Sequence, residues 1–257
     1  MLAETAQTGA QPAAIPVRPQ TAAAELREVS KVYGTFAALR NVSVDFPPGS
    51  CTMILGENGA GKSTLLRVIA GLLEPSRGSV TTFGTAPQDQ RGRIAYMSHA
   101  PMLYDELSAM ENLLYFAGLG GASCGACGGS PEMALRAVGL DPHLKRPVGQ
   151  YSQGMRQRTS LARVLQSDPE LLLLDEPFSN LDVESAQMMV KLLADFRTWP
   201  IMPRSFADPS AGPSAEVGKR TIILTTHQAH LGEPLADRTL TMRTGKIASS
   251  LQRGTAA

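Results

Sequence analysis

The sequence has no long hydrophobic run. Its longest purely aliphatic stretch is residues 171–174, far short of the ~20 apolar residues that a membrane-spanning helix needs. Three cysteines are too few, and odd in number, for a disulfide framework, which favours a reducing compartment. No cationic residue precedes Arg18, and no apolar segment of the secretory type lies nearby. We therefore expect a chain that stays in the cytoplasm and does not cross a membrane by itself.

The sequence also lacks an excess of charge of either sign. It has 24 Lys and Arg against 23 Asp and Glu, a formal net charge of +1. No overall basic field is available to hold nucleic acid by counterion release, so we expect no nucleic-acid partner. Arg156, Arg158 and Arg163 fall on one predicted helix, where such a set is usually solvated or paired with acids.

What the sequence does contain is enough apolar material for a sizeable core. Hydrophobic residues make up 43% of 257 residues, which excludes wholesale disorder and favours one large domain or two small lobes. Residues 1–24 are rich in Ala, Thr, Gln and Pro, and we expect a flexible tail there. Beyond it, predicted strands alternate with predicted helices, which indicates an α/β domain over 25–257 with a largely parallel sheet. A four-proline stretch at 198–219 is expected to be a surface insertion; partner binding is the alternative.

A glycine-rich loop follows the predicted buried strand 51–55 and precedes a predicted helix at 63–73, which Pro75 is expected to end. The loop fits the phosphate-binding pattern G-x-x-x-x-G-K-[ST]. Glycines let backbone N–H groups point inward at an anion, and the helix N-terminus adds a favourable dipole. In this pattern the lysine neutralises the β- and γ-phosphates of ATP and the serine hydroxyl binds Mg²⁺. The predicted nucleotide-binding residues are Gly56, Glu57, Asn58, Gly59, Ala60, Gly61, Lys62, Ser63 and Thr64.

Two acidic residues, Asp175 and Glu176, end a predicted buried strand. Such a strand delivers carboxylates to the sheet edge where α/β folds bind ligands. We expect Asp175 to hold Mg²⁺ and Glu176 to orient and deprotonate the attacking water. His227 follows another predicted strand, at 221–225. It is either a structural histidine or a γ-phosphate sensor, and a nucleotide at the neighbouring sheet edge favours the sensor.

These motifs, in this order, resemble those of the ABC-type ATPases, the nucleotide-binding subunits of ABC transporters. Residues 151–155, Tyr-Ser-Gln-Gly-Met, are similar to that family's signature, which is usually Leu-Ser-Gly-Gly-Gln. The resemblance implies a head-to-tail dimer in which Ser152 and Gly154 close over the ATP held by the partner. It also implies a role for Asp182 in the loop after the acidic pair, for His227 as the switch histidine, and for Tyr33 in stacking on adenine. Asp182 could instead be only a helix N-cap.

The resemblance further implies a P-loop NTPase sheet with an antiparallel β subdomain and a helical subdomain at about 100–163. ATP and Mg²⁺ would be the cofactors. The partners would be a second ATP-binding subunit, identical or related, and integral membrane permease subunits that hold the chain at the inner face of the membrane. The sequence departs from the family pattern in two motifs. In the signature, Tyr151 and Gln153 replace the leucine and the first glycine. In another motif, His99 stands where the family has a glutamine. Imidazole is a poor ligand for Mg²⁺, so we expect His99 to act through water or to couple to the partner.

Within the family, His99 and the segments 175–178 and 225–228 resemble the ATP-binding subunits of haem exporters used in cytochrome c maturation. The alternatives are another exporter ATPase, for drugs, lipids or polysaccharides, or a soluble ABC ATPase outside transport. Cys124 and Cys127 could be half a zinc site or a redox pair, although a glycine-rich loop with incidental thiols is the simpler interpretation.

Overall fold

The structure is a computed structural model, and it describes residues 22–119, 130–199 and 219–253. Within these ranges nine strands and six α-helices follow the chain. The strands are β1 (Ala24–Tyr33), β2 (Phe36–Phe46), β3 (Cys51–Leu55), β4 (Arg77–Thr82), β5 (Ile94–Met97), β6 (Leu171–Asp175), β7 (Thr221–Thr226), β8 (Arg238–Arg243) and β9 (Lys246–Gln252). The helices are α1 (Lys62–Ile69), α2 (Ala109–Leu119), α3 (Pro131–Ala137), α4 (Gln153–Leu165), α5 (Val183–Thr198) and α6 (Ala229–Gly232).

The central sheet has six strands in the order β5-β6-β7-β3-β8-β9. The first five are parallel, and β9 returns antiparallel to β8. Every residue of β6 and β7 is buried, which explains why each strand contains an uninterrupted aliphatic run, 171–174 and 222–224, rather than an alternating pattern. Because β3, β6 and β7 are parallel neighbours, the loops that follow them meet at one edge of the sheet.

A second sheet is antiparallel, with the order β2-β1-β4. In β1, Leu26 and Val29 are both fully buried although they are three residues apart. A bulge explains this, because Glu28 takes a positive φ of 51° and the pairing register with β2 shifts between the two residues. Gly78 on β4 lies against the bulge, where an added Cβ would sit 2.5 Å from the Glu28 carbonyl oxygen. This contact leaves no space for a side chain at position 78.

Helix α1 is shorter than the sequence predicts. It ends at Ile69 rather than 73, and Gly71 follows with a left-handed φ of 69°. The N–H of Leu72 then donates to the Arg67 carbonyl at 2.9 Å, which satisfies an end of the helix. The glycine therefore ends this helix, several residues before Pro75.

Helices α2, α3 and α4 pack on one another within the predicted range 100–163. The N-terminus of α2 has a reciprocal cap, with Ser108 N–H donating to Glu111 Oε2 at 2.8 Å and Glu111 N–H donating to Ser108 Oγ at 3.2 Å. The arginines of α4 differ from one another. Arg156 pairs with Asp105 at 2.7 Å, as expected.

The other two arginines of α4 do not match the expectation of solvent or acidic partners. Arg158 donates to the backbone carbonyls of Val138 and Gly139 at the end of α3. The guanidinium of Arg163 lies 4.9 Å from the centre of the Phe116 ring. Both side chains therefore join helices of the same chain.

The predicted tail at 1–24 overlaps the folded domain. Ala23 and Ala24 are buried, and Ala23 N–H donates to the Phe46 carbonyl at 2.9 Å. Residues 1–21 lie outside the described residues, as do most of the predicted insertion (200–218) and the segment with Cys124 and Cys127 (120–129). Over the three described ranges, no helix is both long enough and apolar enough to span a bilayer.

Candidate nucleotide-binding and hydrolysis site

A cavity of about 570 Å³ lies at the edge of the central sheet where β3, β6 and β7 end. This volume lies within the usual range for small-molecule sites. Twelve residues predicted from the sequence line it: Glu57, Asn58, Gly59, Ala60, Gly61, Lys62, Ser63, Thr64, His99, Asp175, Glu176 and His227. Gly56 begins the same loop and lines a neighbouring cavity with His227. The structure therefore brings the glycine loop, the acidic pair and the two histidines together.

The loop after β3 has the backbone that an anion cradle needs. Gly59 and Gly61 take left-handed φ values of 79° and 100°. A Cβ on Gly61 would collide with the Ala38 carbonyl oxygen, so both conformation and space require glycine there. The first turn of α1 follows at once, and the first N–H groups of a helix have no partner within the helix. The loop can therefore surround a phosphate group.

Lys62 is held inside this loop, with 7% of its surface exposed. Its ammonium group donates to the carbonyl oxygens of Gly56 and Glu57, at 2.7 and 3.2 Å. Glu176 Oε1 lies 3.6 Å from the same nitrogen. A buried ammonium with one carboxylate near it and a cavity in front of it suits a charged phosphate ligand.

The carboxylate of Asp175 is buried and hydrogen-bonded at both oxygens. Ser63 and Thr225 donate to Oδ1 at 3.0 and 2.8 Å, and Tyr96 donates to Oδ2 at 3.2 Å. Burial raises the pKa of Tyr96, although the hydrogen bond from Arg67 opposes that shift. A serine hydroxyl beside a carboxylate is an oxygen-donor pair of the kind that Mg²⁺ prefers. The residues present therefore fit the metal that the motif implies.

Glu176 directs its carboxylate into the cavity from a strained backbone position, with φ of 54°. Its N–H donates to both the carbonyl and the hydroxyl of Thr225, each at 3.1 Å. The Nδ1 atom of His227 lies 2.9 Å from Glu176 Oε2, and the His227 backbone N–H donates to that oxygen at 3.2 Å. Two groups predicted separately from the sequence thus form one unit.

Sequence reasoning missed Tyr96 and Thr225, although the strand pattern contained a signal for one of them. Thr225 lies directly opposite Asp175 in the register of β6 and β7. Its polar side chain at the end of an otherwise aliphatic strand could have been recognised as a partner for the acid. Tyr96 had no such signal, because its contact with Asp175 depends on how β5 is placed beside β6.

Tyr33, the predicted adenine-stacking residue, does not line the cavity. It is 45% exposed, and the Lys31 ammonium lies 5.5 Å from its ring centre. Phe36, which pairs with Tyr33 across the turn between β1 and β2, lines the cavity instead. Sequence reasoning did not consider Phe36, although an aromatic residue three positions after Tyr33 was visible. The role of Tyr33 stays a prediction.

Ser152, Gly154 and Asp182 also lie outside the cavity of their own chain. Ser152 caps α4, accepting from Met155 N–H at 3.2 Å. Asp182 caps α5 by accepting from Ser185 N–H at 2.7 Å, and this bond lowers the pKa of Asp182. The capping role that the sequence left open for Asp182 is therefore present. A role for these residues at a partner's nucleotide stays a prediction.

A parallel sheet with a glycine loop, a buried lysine and paired acids at its C-terminal edge defines a P-loop nucleotide triphosphatase. The sequence profile of the ABC transporter family matches residues 39–179, more than half of the chain. The chain belongs to this family, as the ATP-binding subunit of an ABC transporter and an ABC-type ATP hydrolase. The predicted family, fold and enzyme class are confirmed.

Similar proteins in the family carry names that indicate different transport functions. The cytochrome c biogenesis ATP-binding export protein CcmA of Xanthomonas campestris is 38% identical over 196 residues, 76% of this chain and 81% of that one. The sulfate/thiosulfate import ATP-binding protein CysA of Mycolicibacterium paratuberculosis is 36% identical over 225 residues, 86% of this chain and 57% of that one. The dimeric structure of the bacterial ABC transporter cassette MJ0796 has a TM-score of 0.72 at 23% identity and covers 90% of this chain and 99% of its own. The last likeness confirms the fold alone.

Proposed function

We propose that this chain, paired with a second copy or a close relative, binds Mg-ATP at the dimer interface and hydrolyses it to drive export through separate membrane permease subunits. One observation carries the proposal: a single cavity brings together Lys62, Asp175, Glu176 and His227 beside the glycine loop. Through the permease the chain would sit at the inner face of the membrane.

We assign each of these residues a role in ATP hydrolysis that fits its position in the cavity. The loop N–H groups bind the phosphates, and Lys62 turns from its carbonyl partners to the β- and γ-oxygens. Mg²⁺ held by Ser63 and Asp175 would neutralise part of the phosphate charge. Glu176 accepts a proton from water as the water oxygen bonds to the γ-phosphorus, and the bond to the β-phosphate oxygen breaks. His227 keeps the Glu176 carboxylate aimed at that water.

The second subunit would complete the site from the signature side. Ser152 stands at the N-terminus of α4, a helix of 13 residues, and its backbone and hydroxyl suit an anion. Gly154 follows within the same first turn. Since neither residue lines its own chain's cavity, the partner's nucleotide is the ligand that we assign to them. Asp182, Tyr33 and His99 would border this composite site.

For the cargo we propose haem export in cytochrome c maturation. Support comes from the similarity to CcmA and from His99, which lines the cavity at the position where the family has glutamine. Export of a drug, lipid or polysaccharide is an alternative. Import of an oxyanion is a second alternative. It is favoured by the similarity to CysA, which covers more of this chain than the similarity to CcmA does.

A Glu176→Gln variant tests the dimer mechanism. The amide cannot take the proton, so we expect an ATP-retaining dimer on size exclusion with light scattering, and phosphate release reduced at least about 100-fold. A second variant, Lys62→Ala, should bind no ATP and remain a monomer. Lys191→Ala, an exposed lysine on α5, is the matched control. A Glu176→Gln protein that stays monomeric with ATP would contradict the proposal.

The cargo is tested in cells of the source organism that lack this chain. We expect c-type cytochromes to disappear from a haem-stained membrane preparation, and to return with the wild-type chain but not with Lys62→Ala. Normal c-type cytochromes in the deletion strain would reject haem export. A growth defect on sulfate instead would favour the importer.

A further inference from the structure

Asp175 is held by three hydroxyl groups that divide unequally between its two oxygens. Ser63 and Thr225 both donate to Oδ1, whereas Tyr96 donates to Oδ2 at 3.2 Å. Among the residues that the structure describes, Tyr96 is the only hydrogen-bond donor to Oδ2. Asp175 is 2% exposed as a residue, so water has little access to replace a lost donor.

This division matters because an aspartate carboxylate turns easily about its Cβ–Cγ bond. Donors at one oxygen hold that oxygen, but they leave the plane of the carboxylate free to rock. A donor at each oxygen fixes the plane. The Tyr96 hydroxyl is therefore the group that sets the orientation of Asp175 in front of Ser63.

Arg67 in turn directs the Tyr96 hydroxyl. Its Nε lies 3.4 Å from the Tyr96 oxygen, and a guanidinium can only donate. The hydroxyl accepts from Arg67 and its own proton is left to point at Asp175. Such a chain of donors strengthens each bond in it. Arg67 also stands on α1 one turn after Ser63, so the chain Arg67–Tyr96–Asp175 joins α1, β5 and β6.

We propose that Tyr96 is a positioning residue for the metal carboxylate, fixing Asp175 so that it can bind Mg²⁺ together with Ser63. This inference rests on the proposed role of Asp175 and Ser63 in the metal site. Hydrogen-bond partners of metal ligands typically change metal affinity 10- to 100-fold when they are removed. A single neutral hydroxyl belongs at the lower end of that range.

The test is an equilibrium metal titration and does not depend on turnover. Full-length Glu176→Gln protein holds unhydrolysed ATP, and Mn²⁺ binding to that complex is followed by electron paramagnetic resonance. Adding Tyr96→Phe, which removes only the hydroxyl, should weaken Mn²⁺ binding about tenfold. Metal-free ATP affinity in EDTA and the thermal midpoint should stay close to those of the parent. Tyr104→Phe, which removes the hydroxyl of an exposed tyrosine that contacts Tyr115 and not Asp175, is the matched control and should change none of these.

Arg67→Leu gives a second readout through a double-mutant cycle. It should weaken Mn²⁺ binding when Tyr96 is present and have little further effect in Tyr96→Phe, because the two residues act in one chain. Unchanged Mn²⁺ affinity in Tyr96→Phe would overturn the inference. So would a parallel loss of metal-free ATP binding and thermal stability, since that pattern marks a purely structural tyrosine. A Glu176→Gln parent that binds ATP but no Mn²⁺ would instead reject the metal site itself, and the inference with it.

Discussion

The Nδ1 atom of His227 lies 2.9 Å from Oε2 of Glu176, and the backbone N–H of the same histidine donates to the same oxygen at 3.2 Å. The other oxygen of Glu176 faces Lys62 at 3.6 Å. The Glu176 carboxylate is therefore held from two sides, by His227 at one oxygen and by Lys62 at the other. In the proposed mechanism Lys62 turns to a phosphate, and His227 is then the residue that would keep Glu176 in place.

We predict that His227→Ala lowers kcat at least about 100-fold and leaves the KM for ATP within a factor of about three. The ring hydrogen bond to Glu176 is lost, but the loop and Lys62, to which we assign phosphate binding, remain, so binding and chemistry should separate. Steady-state phosphate release measures both constants. His230→Ala, on the exposed side of α6, is the control. Equal loss of ATP affinity would show that His227 binds substrate rather than orienting Glu176.

A second prediction concerns the packing of α4, the helix that begins within the signature segment, against α5. A Cβ built on Gly154 would lie 2.8 Å from Ser185 Cβ and closer still to its hydroxyl. Gly154→Ala should therefore destabilise the fold by about 1–3 kcal/mol through overpacking. Adding Ser185→Gly to Gly154→Ala removes both clashing atoms and should restore most of the lost stability. Adding Ser185→Ala instead keeps the Cβ and should restore less. Urea unfolding of the parent, Gly154→Ala and the two double variants measures these stabilities. A Gly154→Ala protein as stable as the parent would refute the prediction.

The parts of the site that could be predicted from sequence are those set by short stretches of chain. The glycine loop lies between a buried strand and a helix as expected, and Asp175 ends β6 with Glu176 directly after it. The reciprocal cap of Ser108 and Glu111 is also local, because it depends only on residues three apart. In each case the residue type and its neighbours decide the geometry.

The parts that escaped prediction depend on contacts between distant segments. Tyr96 reaches Asp175 only because β5 pairs beside β6. Phe36 rather than Tyr33 lines the cavity, although the two residues pair directly across the turn between β1 and β2. The bulge at Glu28 has no local sequence signal either, since a positive φ at a glutamate arises from the pairing of the whole sheet.

The last prediction follows from Cys51, which is fully buried at the start of β3. Burial raises the pKa of its thiol from 9.0 to about 12; Arg197 opposes the shift and Asp237 adds to it. The folded chain therefore holds this proton more tightly than the unfolded chain does. The stability that the protonated Cys51 thiol contributes is complete below about pH 9 and is lost as the pH rises from there towards 12.

Comparison with Cys51→Ala isolates this effect, because the lysines and tyrosines that also titrate are common to both proteins. Relative to Cys51→Ala, the unfolding free energy of the parent should fall above pH 9 by up to about 1.4 kcal/mol per pH unit. Urea unfolding under reducing conditions at pH 8, 9.5 and 10.5, read by circular dichroism, provides the series. The difference between the two proteins should be constant below pH 8.5. If it stayed constant up to pH 10.5 as well, the buried thiol would have no raised pKa, and the packing around the start of β3 would have to admit water.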